Sequence, residues 1–353
     1  MDAKAEPTVS VIIPAYNCDR YIVQAVESVL NQEQCSYEII VIDDGSTDAT
    51  EDVLKPYRDQ LHYVKQENQG VAAARNHGIE LAQGNFVAFL DADDYFLPGK
   101  LARQAEILFR CPNLGMIHSG WQRVDHQGNK LLDVCPWVQI PELNLETWLR
   151  WKPVLPSAMM FRREWLQYVG GFDPRFPPAE DTNLVLKLAL KGCKTAWLKE
   201  ITVCYRQHES SAMHKGIPQA KSLLAVTDDF FNQPGLPPKV RLMEQSVRYG
   251  TLIWIAWYIQ HTGYPQGMKE YLQMAWNYRP NSGTETLVTW VESFAEFARN
   301  WGVEFRSNEL TSSSQWQDLV QWMLKTSSPI DEVQGQTLPK AEVTVDQNTT
   351  NDS

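Results

Sequence analysis

Three acidic residues follow directly after a strongly apolar segment of the chain. The segment 86–90 is apolar throughout, which predicts a strand buried on both faces, and Asp91, Asp93 and Asp94 come immediately after it. Like charges this close repel one another, so the cluster costs stability unless a cation neutralises it. Mg²⁺ and Mn²⁺ bind carboxylate oxygens together with the oxygens of a substrate phosphate. The spacing therefore predicts a divalent-metal site, and a polar turn that closes the strand is the simpler alternative.

The first hundred residues alternate between two sequence patterns. Runs of apolar, β-branched residues predict strands at 9–13, 38–42, 62–64 and 85–90, and helical spacing predicts helices at 21–30, after 46–47, and at 70–81. This alternation predicts an α/β fold with a mostly parallel, Rossmann-like sheet flanked by helices. Because ligands bind beyond the carboxyl ends of such strands, the segments 14–17, 43–46 and 91–94 are expected to meet at one edge of the sheet.

The rest of the chain predicts two further regions. Helices at 100–109 and 182–190 and strands at 115–124 and 157–161 flank a long excursion, rich in Pro and Trp, at 134–156. Residues 219–305 have helical spacing with a break at 281–283, and the polar end of the chain is expected to be disordered. We therefore predict a first domain at 1–215, a C-terminal helical region at 216–328 and a disordered tail at 329–353. Helical spacing is mainly a burial signal, so the aromatic residues of the helical region are assigned to a core rather than to a sugar-binding surface.

The overall composition argues against several classes of function. The net charge is −11 and no basic stripe occurs, which argues against a nucleic-acid partner. The six cysteines form no C-x-x-C pair, which argues against a disulfide framework or a zinc site and favours a reducing compartment. No signal peptide is recognised, and the longest apolar run of the C-terminal half, 252–259, is too short to span a bilayer. A cytoplasmic protein without a transmembrane segment is expected, and peripheral contact with the inner face of a membrane is left open.

Four segments of the N-terminal half resemble the successive motifs of a known enzyme family. They are Val9–Asn17, Val41–Asp48, Asn68–Asn76 and Phe89–Asp94, and they occur in the order of the motifs of family 2 glycosyltransferases. The resemblance covers roughly residues 7–212. It implies the GT-A fold, a nucleotide-activated sugar as the donor, and inversion at the anomeric carbon.

The resemblance also implies a nucleotide pocket. Pro14, Tyr16 and Asn17, in the turn after the first predicted strand, would line a pocket for uridine. Asp44 would accept a hydrogen bond from the imide N–H of the base, and Arg75 would contact the nucleotide end of the donor. Simpler interpretations are a strand-to-helix turn with Tyr16 as a packing residue, an acidic helix cap for Asp44, and a surface salt bridge for Arg75.

The same resemblance gives roles to the acids that follow the fourth predicted strand. Asp93 would ligate the metal, and Asp91 would hold the donor ribose or a metal-bound water, with Asp94 behind them. His208 matches a position at which relatives carry a histidine near the phosphates or the metal, although Mg²⁺ and Mn²⁺ sites are mainly oxygen. A loop histidine is the equal alternative. The expected cofactor is Mn²⁺ or Mg²⁺, which would neutralise charge on the departing nucleoside diphosphate.

Two further segments supply carboxylates for catalysis. Val169–Pro174 and Ala179–Leu188 resemble the G-G-F-D and E-D motifs of the family. Inversion requires one positioned base, which removes the proton of an acceptor hydroxyl as that hydroxyl attacks the anomeric carbon. Asp181 is the predicted base, and Glu180 is the fallback or orients the acceptor. The alternative is that both acids only favour the dipole at the start of the helix at 182–190.

Absent motifs narrow the function further. The chain has no Q-x-x-R-W signature and no series of apolar spans, which argues against a processive synthase, and it has no G-x-G-x-x-G or P-loop motif. We predict an inverting, metal-dependent glycosyltransferase that moves one sugar from a UDP-sugar to an acceptor hydroxyl. The acceptor would be a glycan, a lipid-linked molecule or a protein, and the pathway glycoconjugate or cell-surface polysaccharide biosynthesis. The alternatives are a nucleotidyltransferase, which gives no reason for Glu180 and Asp181, and a non-catalytic nucleotide-sugar-binding module.

Overall fold

The structure is a computed structural model that describes residues 8–208, 211 and 216–326. The tail predicted to be disordered at 329–353 lies outside these residues, and so do the first seven residues of the chain. Within the described ranges, a region of alternating strands and helices is followed by a region of helices, as the sequence predicts.

The first half of the sheet is parallel. Its strands are β1 (Val9–Ala15), β2 (Tyr37–Asp43), β3 (His62–Lys65) and β4 (Phe86–Phe89), joined by the helices α1 (Ile22–Leu30), α2 (Thr50–Leu54) and α3 (Val71–Leu81). They pair in the order β3-β2-β1-β4. Every residue of β1 is buried, because one hydrophobic cluster lies on each face of the sheet. These elements confirm the predicted α/β alternation.

The second half of the sheet is mixed. Its elements are β5 (Tyr95–Phe96), α4 (Lys100–Arg110), β6 (Leu114–Val124), β7 (Lys130–Val134), α5 (Leu145–Trp151), β8 (Met159–Arg162), α6 (Arg163–Tyr168), α7 (Glu180–Leu190) and β9 (Lys194–Arg206). The strand order over the described residues is β3-β2-β1-β4-β8-β6-β9-β5, with β7 beside β6. β8 is antiparallel to both β4 and β6, so β6 runs in the same direction as β4. The excursion between β6 and β8 therefore lies at the same edge of the sheet as the carboxyl ends of β1 and β4.

The strand β9 was not predicted from the sequence. It is the longest strand of the described chain, with 13 residues, and it pairs in parallel with β6. Its register against β6 shifts between the pairs Ser119–Leu198 and Gly120–Ile201, so its side chains do not alternate regularly between the two faces. A pattern of strict alternation therefore misses it.

The helical region follows β9 and packs in two ways. Its helices are α8 (Gly216–Asn232), α9 (Pro238–Arg241), α10 (Glu244–His261), α11 (Pro265–Trp276), α12 (Gly283–Trp301), α13 (Ser307–Ser312) and α14 (Ser314–Thr326). Tyr258, Trp276 and Trp290 are buried in a cluster of their own, which confirms the core assignment for these aromatic residues. Val226 and Phe230 of α8 instead belong to the cluster that covers one face of the sheet. The boundary at residue 215 stays a prediction, and the packing of α8 crosses it.

No helix within residues 8–208 and 216–326 is both long enough and apolar enough to span a bilayer.

Candidate active site

A cleft of about 2150 Å³ opens where the carboxyl ends of β1 and β4 face the helical region. It brings together nine of the residues that the sequence analysis singled out: Pro14, Tyr16, Asn17, Arg75, Asp91, Asp93, Glu180, Asp181 and His208. Asp44 does not line it. The expected meeting of the polar strand ends at one edge of the sheet is therefore observed for β1 and β4, and α7 adds the carboxylates of Glu180 and Asp181 to the same cleft.

Arg75 joins two of these elements through a buried double ion pair. Its Nη2 donates to Asp91 Oδ1 at 2.6 Å, and its Nη1 donates to Glu180 Oε1 at 2.7 Å. Burial alone would lower the pKa of Arg75, but the charges of Asp91 and Glu180 outweigh it and the pKa is raised. The side chain is buried on α3, unlike the surface salt bridge considered above. Arg75 therefore fixes the end of β4 against the start of α7.

Replacing Arg75 with glutamine is expected to destabilise the fold by about 3 kcal/mol, because it leaves the buried Glu180 carboxylate without a counter-charge. Urea unfolding at neutral pH measures the loss. The matched control is Arg103→Gln, whose ion pair with Glu200 is exposed on both sides and is expected to contribute less than about 1 kcal/mol. Equal losses for the two variants would contradict the buried ion-pair assignment.

The three acids after β4 lie in different environments. Asp91 is paired with Arg75, so a protein cation already compensates its charge. Asp94 is buried, and its two oxygens accept hydrogen bonds from Ser157 Oγ at 2.8 Å and from the backbone N–H of Arg206 at 3.0 Å. Burial and the charges of Asp93 and Asp91 raise the pKa of Asp94 well above its usual range. The repulsion expected from the sequence is thus relieved in two different ways.

Asp93 is the acid that remains for a metal. It is partly exposed in the cleft, and its Oδ2 lies 2.8 Å from Nε2 of His208. Arg206 holds the backbone of this turn, since its Nε donates to the Asp93 carbonyl oxygen at 2.9 Å. No group of three or more His, Cys, Asp or Glu side chains within the described residues is placed to hold a metal ion. Two protein ligands with the remaining positions filled by phosphate oxygens fit Mn²⁺ or Mg²⁺ better than a closed protein cage.

The turn after β1 combines an exposed ring with a locked backbone. The Tyr16 side chain is 53% exposed in the cleft, where it offers a flat apolar surface. Asn17 adopts a left-handed conformation with φ of 49°, and its Oδ1 accepts from the backbone N–H of Thr47 at 2.8 Å. Its own N–H donates to Ser46 Oγ at 2.9 Å. Asn17 therefore ties the end of β1 to the loop after β2, and its predicted contact with a nucleotide is untested.

Asp44 holds a loop of the chain itself. It is 3% exposed, and its carboxylate accepts from the backbone N–H groups of Gln69 and Gly70 and from the side chain of Gln66, all within 2.7 to 2.9 Å. This loop leads into α3, on which Arg75 lies. Asp44 thus positions Arg75 indirectly, and the predicted hydrogen bond to a base stays a prediction. Neighbouring Asp43 accepts from the Ser46 N–H and from Tyr63, as expected of a residue that shapes the turn.

Asp181 faces the cleft from the first turn of α7. Its Oδ1 accepts from the backbone N–H of Thr182 at 2.5 Å. Burial and the charge of Glu180 raise the pKa of Asp181 to about 7, although Arg75 opposes the shift. A carboxylate with a pKa near neutrality can both accept and release a proton at physiological pH. The environment of Asp181 therefore fits the base that the sequence predicts.

The second half of the sheet, the excursion at 134–156 and the helical region add cleft residues that the sequence analysis missed. Trp121 and Arg123 come from β6, Lys152 from the end of α5, and Trp254 from α10. The core assignment was too broad for Trp254, which is partly exposed and lines the cleft. The density of Trp and Pro at 134–156 was the available signal, because such an excursion must pack against something large.

Comparison with known proteins gives a family match for part of the chain. Residues 10–170 match the sequence model described as Glycosyl transferase family 2. The putative teichuronic acid biosynthesis glycosyltransferase TuaG of Bacillus subtilis is 47% identical over 29% of this chain and 42% of its own length. Against five other curated relatives, the chain spans between 18% and 81% of the relative's length, and less than two thirds in four of them.

Two solved structures share the fold over most of the chain. TarS of S. aureus, residues 1–349 with UDP-GlcNAc, aligns with a TM-score of 0.57 at 18% identity and covers 90% of this chain and 91% of its own. The mannosyltransferase PcManGT of Pyrobaculum calidifontis, with GDP-Man and Mn²⁺, aligns with a TM-score of 0.58 at 17% identity and covers 92% and 89%. The fold is therefore that of GT-A glycosyltransferases with a C-terminal helical region, and residues 10–170 of the chain match the glycosyl transferase family 2 model.

Proposed function

We propose that this protein is an inverting glycosyltransferase that moves one sugar from a nucleotide sugar to an acceptor hydroxyl. One observation carries the proposal: Asp181, a carboxylate with a pKa of about 7, lines the same cleft as the Asp93–His208 pair. A displacement with inversion needs a base and a leaving-group site on opposite sides of the reacting carbon. The end of β4 and α7 both contribute acids to this cleft, Asp93 from the first and Asp181 from the second, and this shared position supports the arrangement.

Each residue of the cleft has a task in this proposal. Asp93 and His208 would hold a divalent cation, which when bound would neutralise charge on the leaving diphosphate. Tyr16 would cover the nucleobase. Asp181 would take the proton of the acceptor hydroxyl, and Glu180 would orient the sugars through its Oε2, which is buried and has no hydrogen-bond partner among the described residues. Arg75 holds Glu180 in place.

The finer parts of the proposal concern donor, acceptor and location. The proposed donor is a UDP-sugar, and the proposed cofactor is Mn²⁺ or Mg²⁺. The complexes of TarS with UDP-GlcNAc and of PcManGT with GDP-Man support a nucleotide sugar as the donor, and the Mn²⁺ in the PcManGT complex supports the use of a metal. A role in polysaccharide biosynthesis is supported by the similarity to TuaG, a putative teichuronic acid biosynthesis glycosyltransferase. All six cysteines are free thiols, which supports a cytoplasmic location.

Donor hydrolysis tests the proposal without knowledge of the acceptor. The full chain is incubated with Mn²⁺ and a panel of UDP-, GDP- and TDP-sugars, and free nucleoside diphosphate is measured. We expect slow, metal-dependent release of UDP. Release of pyrophosphate from a nucleoside triphosphate would indicate a nucleotidyltransferase instead, and binding of a donor with no turnover would indicate a binding module.

The acid limb of the pH profile is expected to report Asp181. The base acts as a carboxylate, so kcat/KM should fall about tenfold per unit as the pH drops below about 7. The same raised pKa makes the wild-type chain lose stability relative to Asp181→Asn as the pH rises from about 4 to about 7, because the unfolded carboxyl ionises first. Urea unfolding from about pH 4 to about pH 7 measures the difference in unfolding free energy between the wild type and Asp181→Asn. If this difference does not change with pH, the acid limb of the kcat/KM profile belongs to another group.

A further inference from the structure

Arg123 places a buried cation on the wall of the cleft. It lies at the end of β6, is 8% exposed, and forms no ion pair with any carboxylate of the described residues. Its Nη1 donates to the Trp301 carbonyl oxygen at 2.9 Å, its guanidinium lies 4.6 Å from the centre of the Trp301 ring, and its Nε is buried without a hydrogen-bond partner. Burial lowers the pKa of Arg123, so holding this charge has a cost.

Lys152 places a second cation on the same wall. It follows α5 in a left-handed conformation with φ of 46°, which is costly for a residue other than glycine. Its ammonium donates to the Leu149 carbonyl oxygen at 2.6 Å and to Thr251 Oγ1 at 3.0 Å. Both acceptors are neutral, and burial lowers the pKa of Lys152 to about 8. Within the described residues its charge has no counter-ion.

Helix α10 connects the two cations. Thr251, which contacts Lys152, and Tyr258, whose ring lies 5.8 Å from that of Trp301, share one face of α10 at a separation of about 10 Å. Trp254 lies between them, lines the cleft and stacks on Tyr258 with 4.8 Å between ring centres. The wall therefore presents a cation, an aromatic ring and a second cation in series. We call Arg123, Lys152, Trp254 and Trp301 the cationic wall.

We propose that the cationic wall binds the acceptor, and that the acceptor is an anionic glycan whose carboxylate or phosphate groups reach Arg123 and Lys152. The inference rests on the proposed function, because the wall borders the cleft that contains Asp181. Charge-assisted hydrogen bonds from such groups would offset the cost of the two uncompensated cations. The chain carries a net charge of −11, so a local pair of cations is what would attract an anionic polymer to this cleft.

Two structural features could satisfy these cations without a ligand, and neither does. The Trp301 carbonyl is at the end of α12, where a helix carries only about half a negative charge, so it compensates Arg123 in part. Glu296 also lines the cleft, but it forms no ion pair with Arg123 or Lys152 in the described chain. Both cations keep a charge for a ligand to meet.

Binding of defined oligosaccharides to the full chain, with UDP and Mn²⁺ present, tests the inference by calorimetry. The probes are an acidic oligosaccharide with a uronate on every second sugar, the same oligosaccharide with its carboxylates reduced to alcohols, and an oligomer of glycerol phosphate. We expect at least one anionic probe to bind about tenfold or more tightly than the reduced one. The tighter of the two anionic probes identifies carboxylate or phosphate as the recognised group.

Arg123→Gln and Lys152→Gln are each expected to weaken binding of that anionic probe about tenfold, with little effect on the reduced one. The matched control is Arg150→Gln. Arg150 lines the same cleft, but its charge is already paired with Glu146, so this variant should bind the anionic probe within about twofold of wild type. Thermal unfolding checks that each variant is folded, and Lys152→Gln serves if Arg123→Gln is not. Equal binding of anionic and reduced probes, or glutamine variants that match Arg150→Gln, would overturn the inference.

Donor hydrolysis separates this inference from the proposed function. Hydrolysis of the donor by the wild-type chain needs no acceptor, so it tests the proposed function independently of the cationic wall. If the wild-type chain hydrolyses no donor but binds an anionic glycan through Arg123 and Lys152, the proposed function fails and the cationic wall stands. If it hydrolyses a donor and binds charged and neutral probes equally, only the wall fails.

Discussion

Replacing Asp181 with asparagine is expected to lower the rate of sugar transfer about a thousandfold and to leave UDP binding with Mn²⁺ unchanged. The amide has nearly the shape of the carboxylate and can still accept from the Thr182 N–H, so the start of α7 should keep its structure. What is lost is the ability to take a proton from the acceptor. Single-turnover transfer and calorimetric titration with UDP measure the two effects separately.

Asp173→Asn is the matched control for this substitution. Asp173 lies eight positions earlier, pairs with Arg175 and does not line the cleft. Its loss should change transfer less than about twofold, because neither Asp173 nor its exposed partner Arg175 lines the cleft. Normal transfer by Asp181→Asn would exclude Asp181 as the base and direct attention to Glu180, whose one oxygen is unpartnered in the described structure.

Replacing Asp93 with alanine is expected to lower metal-dependent turnover by at least about a hundredfold. Removing this proposed ligand would weaken the binding of the cation and therefore of the diphosphate that the cation would hold. The titration of UDP with and without Mn²⁺ provides a second measurement. In the wild type, Mn²⁺ should tighten UDP binding, and in the variant this dependence on the metal should disappear. Turnover that still depends on Mn²⁺ in Asp93→Ala would contradict the assignment.

The adjacent acid provides a sharp control for Asp93. Asp94 is buried, and an amide can keep both of its contacts by donating to Ser157 Oγ and accepting from the Arg206 N–H. Asp94→Asn should therefore retain most of the wild-type activity. A large loss of turnover in Asp93→Ala with little loss in Asp94→Asn would show that the position of the acid in the cleft determines turnover, rather than the total negative charge after β4.

Much of the first half of the fold was predictable because its interactions are local in sequence or repeat a simple pattern. Strands β1, β2 and β4 are mainly apolar, and the polar segments at their carboxyl ends are expected at one edge of any parallel sheet. The meeting of Asp91, Asp93 and Asp181 in one cleft followed from these patterns together with the family resemblance. The local roles of Asn17 and Asp44 did not, because a short polar side chain can bond either its own loop or a ligand, and the pattern is the same for both.

The second half of the sheet and its contacts with the helical region were less predictable for a different reason. The bulged register of β9 hides its alternation, and the antiparallel entry of β8 depends on the path of the chain between 134 and 156. The contact between Arg123 and Trp301 joins residues 178 positions apart. No local sequence pattern predicts that a strand residue will contact the end of a helix so far along the chain. The wall of the cleft formed by Arg123, Lys152, Trp254 and Trp301 could therefore be found only in three dimensions.

The packing of α8 has a consequence for how the chain can be divided. Val226, Phe230 and Phe231 belong to the buried cluster that includes Phe172 and, on α7, Leu184. Cutting the chain after residue 215 would strip this layer away and expose the apolar underside of the helix that presents Glu180 and Asp181. We therefore expect a fragment that ends at residue 215 to be less stable than the full chain, because α7, which carries the proposed base Asp181, packs against residues beyond the family match.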